Sequence, residues 1–107
     1  KQVRDNIHSR DLVEALYFFY RNPGIGRVYN MGGGRFSNCS VLEAIALSEK
    51  ITGNKMKWTY EEKNRLGDHI WWVSDCSRFQ KDYPEWKCKV GVQQILEEIH
   101  EGLRCRL

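Results

Sequence analysis

The stretch Lys1-Gln2-Val3-Arg4-Asp5-Asn6-Ile7-His8-Ser9 decides how the chain is built. Val3, Asp5 and Ile7 alternate with Arg4, Asn6 and His8, the period-two pattern of an extended strand. The second set is polar where a core strand would show apolar residues, so that row is expected to face a ligand or solvent. Ser9 then reads as the cap of a helix running to about Arg21, stopped by Asn22-Pro23-Gly24. Leu12, Val13, Leu16, Phe19 and Tyr20 supply its apolar stripe. Tyr17 and Phe18 widen that stripe, which predicts a helix covered on more than one side.

Downstream, strands are again expected to alternate with helices. Arg27–Met31 reads as a short strand, followed at once by Gly32-Gly33-Gly34. Ser40 with Glu43 has the spacing of a capping box for a second helix closing at Gly53, with Asn38 as a competing cap. Lys55–Tyr60 alternates, which predicts a strand burying Met56, Trp58 and Tyr60. Asp75 is expected to cap a short helix ending before Pro84. Val92, Ile95, Leu96, Ile99 and Leu103 recur at three and four, predicting a last helix docked by that face. The pattern implies one small α/β lobe of mixed α+β layers over residues 1–107, without internal repeats.

Composition bounds the function. The 107 residues are 41% hydrophobic and 29% charged, as in globular chains. Seventeen basic residues against 14 acidic ones leave a net charge of +3, too little to imply nucleic acid or a membrane surface as partner. No apolar run approaches the roughly 20 residues of a membrane span. Cys39, Cys76, Cys88 and Cys105 lack metal-ligand spacing and read as reduced thiols of a cytosolic protein, with a secreted disulfide framework as the alternative. The chain opens on Lys1 rather than Met and is expected to be a piece of something longer.

The chemistry concentrates in Asn64-Arg65-Leu66-Gly67-Asp68-His69-Ile70-Trp71-Trp72-Val73-Ser74-Asp75. Arg65 offers a planar fork matched to phosphate or carboxylate, and Asp68 offers acceptors for sugar hydroxyls. Arg4 and Arg65 would bracket one anionic ligand. A solvated surface turn is the plainer alternative. Gly32–Gly34 precedes a predicted helix, yet Ser37 stands where a dinucleotide fingerprint needs its third glycine. It reads instead as a tight connection beside a ligand cleft. His8, His69 and His100 are scattered. A Tyr-x-x-x-Lys pair is read as absent, Tyr17 being followed by Arg21 and Tyr60 by Asn64.

Three of these segments resemble, in order, motifs of the extended short-chain dehydrogenase/reductases (SDRs) that act on nucleotide sugars, the NAD-dependent epimerase/dehydratase family. Val3–Leu12 resembles their R-D-x-I/V-H-x-x-D-L segment. Arg27–Gly34 resembles their V-Y-N-x-G-G-G turn, and Arg65–Asp68 with Asp75 their R-x-G-D…D-x-S segment. The wording is closest to the CDP-tyvelose (CDP-paratose) 2-epimerase branch, isomerases of carbohydrate metabolism. The resemblance implies the C-terminal, substrate-binding portion of an extended SDR, without the N-terminal Rossmann fingerprint. It implies that Arg4 and Arg65 contact the diphosphate of a CDP- or UDP-linked sugar and that Asp68 takes the ribose hydroxyls. No catalytic residue, metal ligand or cofactor site falls within the chain on this reading; NAD would be bound by the full-length enzyme. The expected partners are the missing Rossmann domain and further copies of the chain, in the cytoplasm. The alternative is a stand-alone, self-associating module whose ligand groups are vestigial.

Overall fold

The computed structural model describes residues 2–106; Lys1, part of the predicted opening strand, lies outside them. The centre of the lobe is β1 (Val3–Asp5), the middle strand of a three-stranded sheet. On one side β2 (Asn38–Ser40) pairs antiparallel with it, Arg4 opposite Cys39. On the other, β3 (Trp71–Trp72) runs parallel, Arg4 opposite Trp72.

β1 feeds α1 (Ser9–Arg21), whose N-cap is His8 rather than Ser9: the imidazole Nδ1 accepts the Arg10 N–H. The Asn22 N–H closes the other end on the Phe18 carbonyl. The capping box at Ser40 and Glu43 forms as expected and starts α2 (Val41–Thr52), which closes at Gly53. Helix α3 (Ser77–Asp82) is short. Its formal cap is Cys76, but the Asp75 carboxylate accepts the Ser77 N–H, so the expected acidic start holds in substance. Helix α4 (Val92–Arg104) packs against α2.

The core is aromatic and lies under α1. Ala15, Phe79, Tyr83 and Trp86 are buried, with Phe18, Phe19, Tyr29 and Met31 packed around them. Tyr29 and Trp86 each meet the Phe79 ring edge to face, centroids 5.2 Å apart. This geometry suits ring quadrupoles better than stacking.

Several predicted elements differ. Arg27–Met31 is irregular: Tyr29 enters the core from a loop, and among the described residues no strand pairs with it. Lys55–Tyr60 also forms no strand, and Met56, Trp58 and Tyr60 are exposed; alternation alone supplies no ladder partner. The strand at Asn38–Ser40 was not anticipated, because cap chemistry occupies the same residues. On α1 the stripe is rotated from its expected position: Asp11 and Ala15 are the buried residues, while Val13 (63%), Leu16 (62%), Tyr17 (56%) and Tyr20 (79%) stand in solvent. The apolar face of α4 is also only partly covered, Ile99 and Leu103 being exposed.

These open faces show in the dimensions. The radius of gyration is 16.5 Å, against about 13 Å for a compact domain of this length. The lobe is broad and flat, 48 × 37 × 20 Å. Among the described residues no helix is long and apolar enough to cross a membrane.

Candidate functional site

The sheet sorts the candidate residues onto two faces. Residues opposite one another on paired strands project to the same side. Arg4, Cys39 and Trp72 therefore share one face, and Val3, Ser40 and Trp71 the other.

The Arg4 face continues into the Arg65–Asp68 turn. Asp68 donates its N–H to the Arg65 carbonyl at 3.2 Å, and Gly67 sits at φ +86°, where a Cβ is strained. The Asp68 carboxylate accepts from the Gln2 side chain at 3.3 Å, and the Val3 N–H donates to the Ile70 carbonyl at 2.8 Å. The turn is thus tied to the start of β1. The Arg4 guanidinium donates to its neighbour's carbonyl, Val3, at 2.9 Å. The Arg65 side chain is exposed and has no hydrogen-bond partner among the described residues. Hence Asp68 is tied to Gln2, two residues before Arg4, at the start of β1. Arg65 is brought to the same turn, but no contact draws the two guanidinium groups together. His69 lies against the Trp72 ring, centroids 4.9 Å apart, an aromatic pair beside Arg4 that the sequence reading did not single out.

The opposite face borders an open cleft of about 1070 Å³, lined among others by Gly32–Gly34, Arg35, Trp71, Ser74 and Lys87. The glycines do lie beside a cleft, but they are not the expected strand-to-helix connection: Arg27–Met31 before them is no strand, and they lead into β2 rather than directly into a helix. A Cβ on Gly33 would fall on the carbonyl of Asn6, and one on Gly32 on the Asp5 carboxylate. Only a chain without Cβ can pass here. The Asp5 carboxylate accepts the N–H groups of Gly34 and Ser74, each at 3.0 Å. Burial pushes its pKa up, but those donors outweigh burial and hold it below the ordinary 3.8. Asp5 knots β1, the glycine turn and the segment after β3 together. A carboxylate on the apolar side of an alternating strand was the signal for it.

The spacing Tyr-x-x-x-Lys does occur, at Tyr83 and Lys87, and corrects the reading that it is absent. Its two members part company, Lys87 being exposed and lining the open cleft. Tyr83 is buried in the core and its hydroxyl donates to the Asn22 carbonyl at 2.7 Å. The segment between them is a turn, not a helix, so the two side chains do not share a helical face. Among the described residues no three His, Cys, Asp or Glu side chains cluster as a metal would need.

No protein-family model matches the chain. Two strains of Nitratidesulfovibrio vulgaris carry an ADP-L-glycero-D-manno-heptose-6-epimerase 27% identical to it over an 81-residue alignment, which covers 63% of this chain and 25% of the relative. Among solved structures, the UDP-glucose 4-epimerase of Bifidobacterium longum, in complex with NAD+ and UDP, superposes with a TM-score of 0.76 at 27% identity. That superposition covers 91% of this chain and 28% of the epimerase. The chain spans about a quarter of the length of the relatives it matches. Its fold is that of the C-terminal portion of an extended SDR epimerase. At the level these likenesses reach, the chain is related to nucleotide-sugar epimerases.

Proposed function

We propose that this chain is the nucleotide-diphosphate-sugar-binding lobe of an NAD-dependent nucleotide-sugar epimerase. On this reading Arg4 and Arg65 take the diphosphate, and Asp68 takes the ribose hydroxyls. The observation that carries it is the parallel pairing of β1 with β3. That pairing sets Arg4 beside Trp72 while the Asp68 carboxylate is tied to Gln2. The partial superposition on an epimerase solved with NAD+ and UDP supports the same assignment. Two guanidinium forks on a diphosphate are chemically apt, each charge-assisted bond contributing roughly 1.5–3 kcal/mol.

The lobe is inert alone, since the tyrosine of its one Tyr-x-x-x-Lys spacing, Tyr83, is buried in the core with its hydroxyl bonded to Asn22 while Lys87 lines the cleft. Hydride transfer and NAD belong to a Rossmann domain as partner, in the cytoplasm. Within the epimerases, the residue wording favours a CDP-tyvelose-like substrate over an ADP- or UDP-linked one. Calorimetric titration with CDP, UDP, ADP and CMP, repeated on Arg65→Ala, tests this. Diphosphate-dependent binding that the variant loses is the expected result. Equal binding of CMP and CDP, or an unaffected variant, would overturn the diphosphate assignment. Epimerisation by the 107-residue chain would overturn inertness.

A second reading, a self-associating module with vestigial ligand groups, is favoured by one observation. Val13, Leu16, Tyr17 and Tyr20 form a helical stripe open to solvent. A sedimentation profile independent of concentration would exclude it.

A further inference from the structure

Beneath the glycine turn, two thiols share one acceptor. The Sγ of Cys76 and the Sγ of Cys88 each donate to the Gly32 carbonyl at 3.5 Å, so the sulfurs are no farther apart than twice that distance. Both line the cleft, both are half-buried, and both pack against the same aromatic cluster. Cys76 stands at the open start of α3 and Cys88 in an irregular segment, so neither side chain lies within a helix or strand. Among the described residues no third His, Cys, Asp or Glu ligand stands with them, and thiol–disulfide chemistry is what two thiols can do together. Cys39 lies on the opposite sheet face beside Asn6, and Cys105 is exposed at the end of α4.

The geometry points to Cys76 and Cys88 as a dithiol switch that a low-molecular-weight disulfide such as oxidised glutathione converts to an intramolecular disulfide. One thiolate attacks a glutathione sulfur and expels a glutathione thiolate. The second thiolate attacks the resulting mixed disulfide and expels the other. The protein dithiol is oxidised, glutathione disulfide is reduced to two thiols, and the two cysteine protons end on them. The bond closes the segment from Cys76 to Cys88 and withdraws both S–H donors from Gly32. That residue begins the turn that hands its Gly34 N–H to Asp5. Oxidation at the cleft floor therefore acts on the knot that holds β1. Burial, aided by Asp11, raises the Cys88 thiol to about 11, and burial raises Cys76 too, so exchange is slow near neutrality and accelerates with pH.

The test is peptide mapping of the whole chain after incubation with oxidised glutathione at pH 8.5, the thiols still free being alkylated afterwards. A single protein disulfide, joining Cys76 to Cys88, is expected, with Cys39 and the exposed Cys105 either alkylated or carrying glutathione. The melting midpoint should rise in the oxidised chain and fall back with dithiothreitol. The same oxidation in concentrated urea should give mixed pairings. Four free thiols in the folded chain after prolonged exposure, or the urea mixture in the folded chain as well, would overturn the switch. Because the mapping uses the unaltered sequence, it does not depend on whether Cys88→Ser folds.

Discussion

Trp86 and Asp11 are bound to each other: the buried indole N–H donates to the Asp11 carbonyl at 2.9 Å. The Asp11 side chain completes the joint by accepting the N–H groups of Lys89 and Val90, each at 3.0 Å. A buried carboxylate on α1 thus fastens the segment after α3 to the core. Replacing it strands two backbone donors, and Asp11→Ala is expected to cost about 2–4 kcal/mol. Trp86→Phe, which loses one bond and some volume, should cost about 1–3 kcal/mol. Urea denaturation midpoints at constant m-value measure both.

Two glycines should answer alanine with opposite sign. At Gly33 the new Cβ meets the backbone carbonyls of Asn6 and Ser37, neither of which has a flexible end to yield. The loss is expected to reach about 1–3 kcal/mol or more. At Gly102, inside α4, a Cβ meets nothing within 4 Å. Alanine there should gain up to about 1 kcal/mol from helix propensity. Thermal unfolding of the two variants beside the parent decides the matter; a destabilised Gly102→Ala would contradict the helix environment described.

Acid should loosen the sheet through Asp5. Its folded pKa is depressed below 3.8, so its contribution is complete above that value and disappears as pH falls through the lower folded one. The parent is expected to lose stability below about pH 4 more steeply than Asp5→Asn. The variant starts from a lower plateau, since a neutral amide oxygen accepts the Gly34 and Ser74 N–H groups more weakly than a carboxylate does. Parallel slopes for the two proteins would mean that Asp5 does not set the acid limb.

On the ligand side, Arg65→Ala is expected to weaken diphosphate binding by about ten- to a hundredfold, the span of one charge-assisted contact. Asp68→Asn should weaken a ribonucleotide while leaving inorganic pyrophosphate unchanged. Titration with both ligands separates the roles.

The legible parts of this fold are those with local causes. The Ser40–Glu43 box, the stop at Asn22 and the period of α4 are each set within a few residues, and each is found where the pattern puts it. What could not be read depends on partners distant in sequence. Lys55–Tyr60 has a strand's alternation but no neighbouring strand, whereas Asn38–Ser40 has no strand signature yet pairs because β1 lies beside it. The α1 stripe misled for a similar reason. Apolar periodicity marks a face suited to burial, but the face actually buried is the one holding Asp11, whose carboxylate has donors waiting for it. At the site, Arg65, Gly67 and Asp68 were legible as a turn with ligand-like groups. The Asp5 knot and the His69–Trp72 pair required the sheet register to become visible.

Placing β1 in the middle of the sheet also governs when the site comes into being. Val3 pairs with Ser40 on one side and Trp71 on the other, and Asp5 waits for an N–H from Ser74. The strand pairings around Arg4 and the Asp5–Ser74 bond each close a loop of several tens of residues, and such closures are entropically costly and kinetically slow. The local helices can form early, while the strand that carries the ligand groups is among the last parts to be fixed. During synthesis β1 can pair with β2 once residues 38–40 have emerged, but its other edge stays open until residues 71–74 have followed, a long interval in which an apolar and aromatic chain is open to the wrong partners.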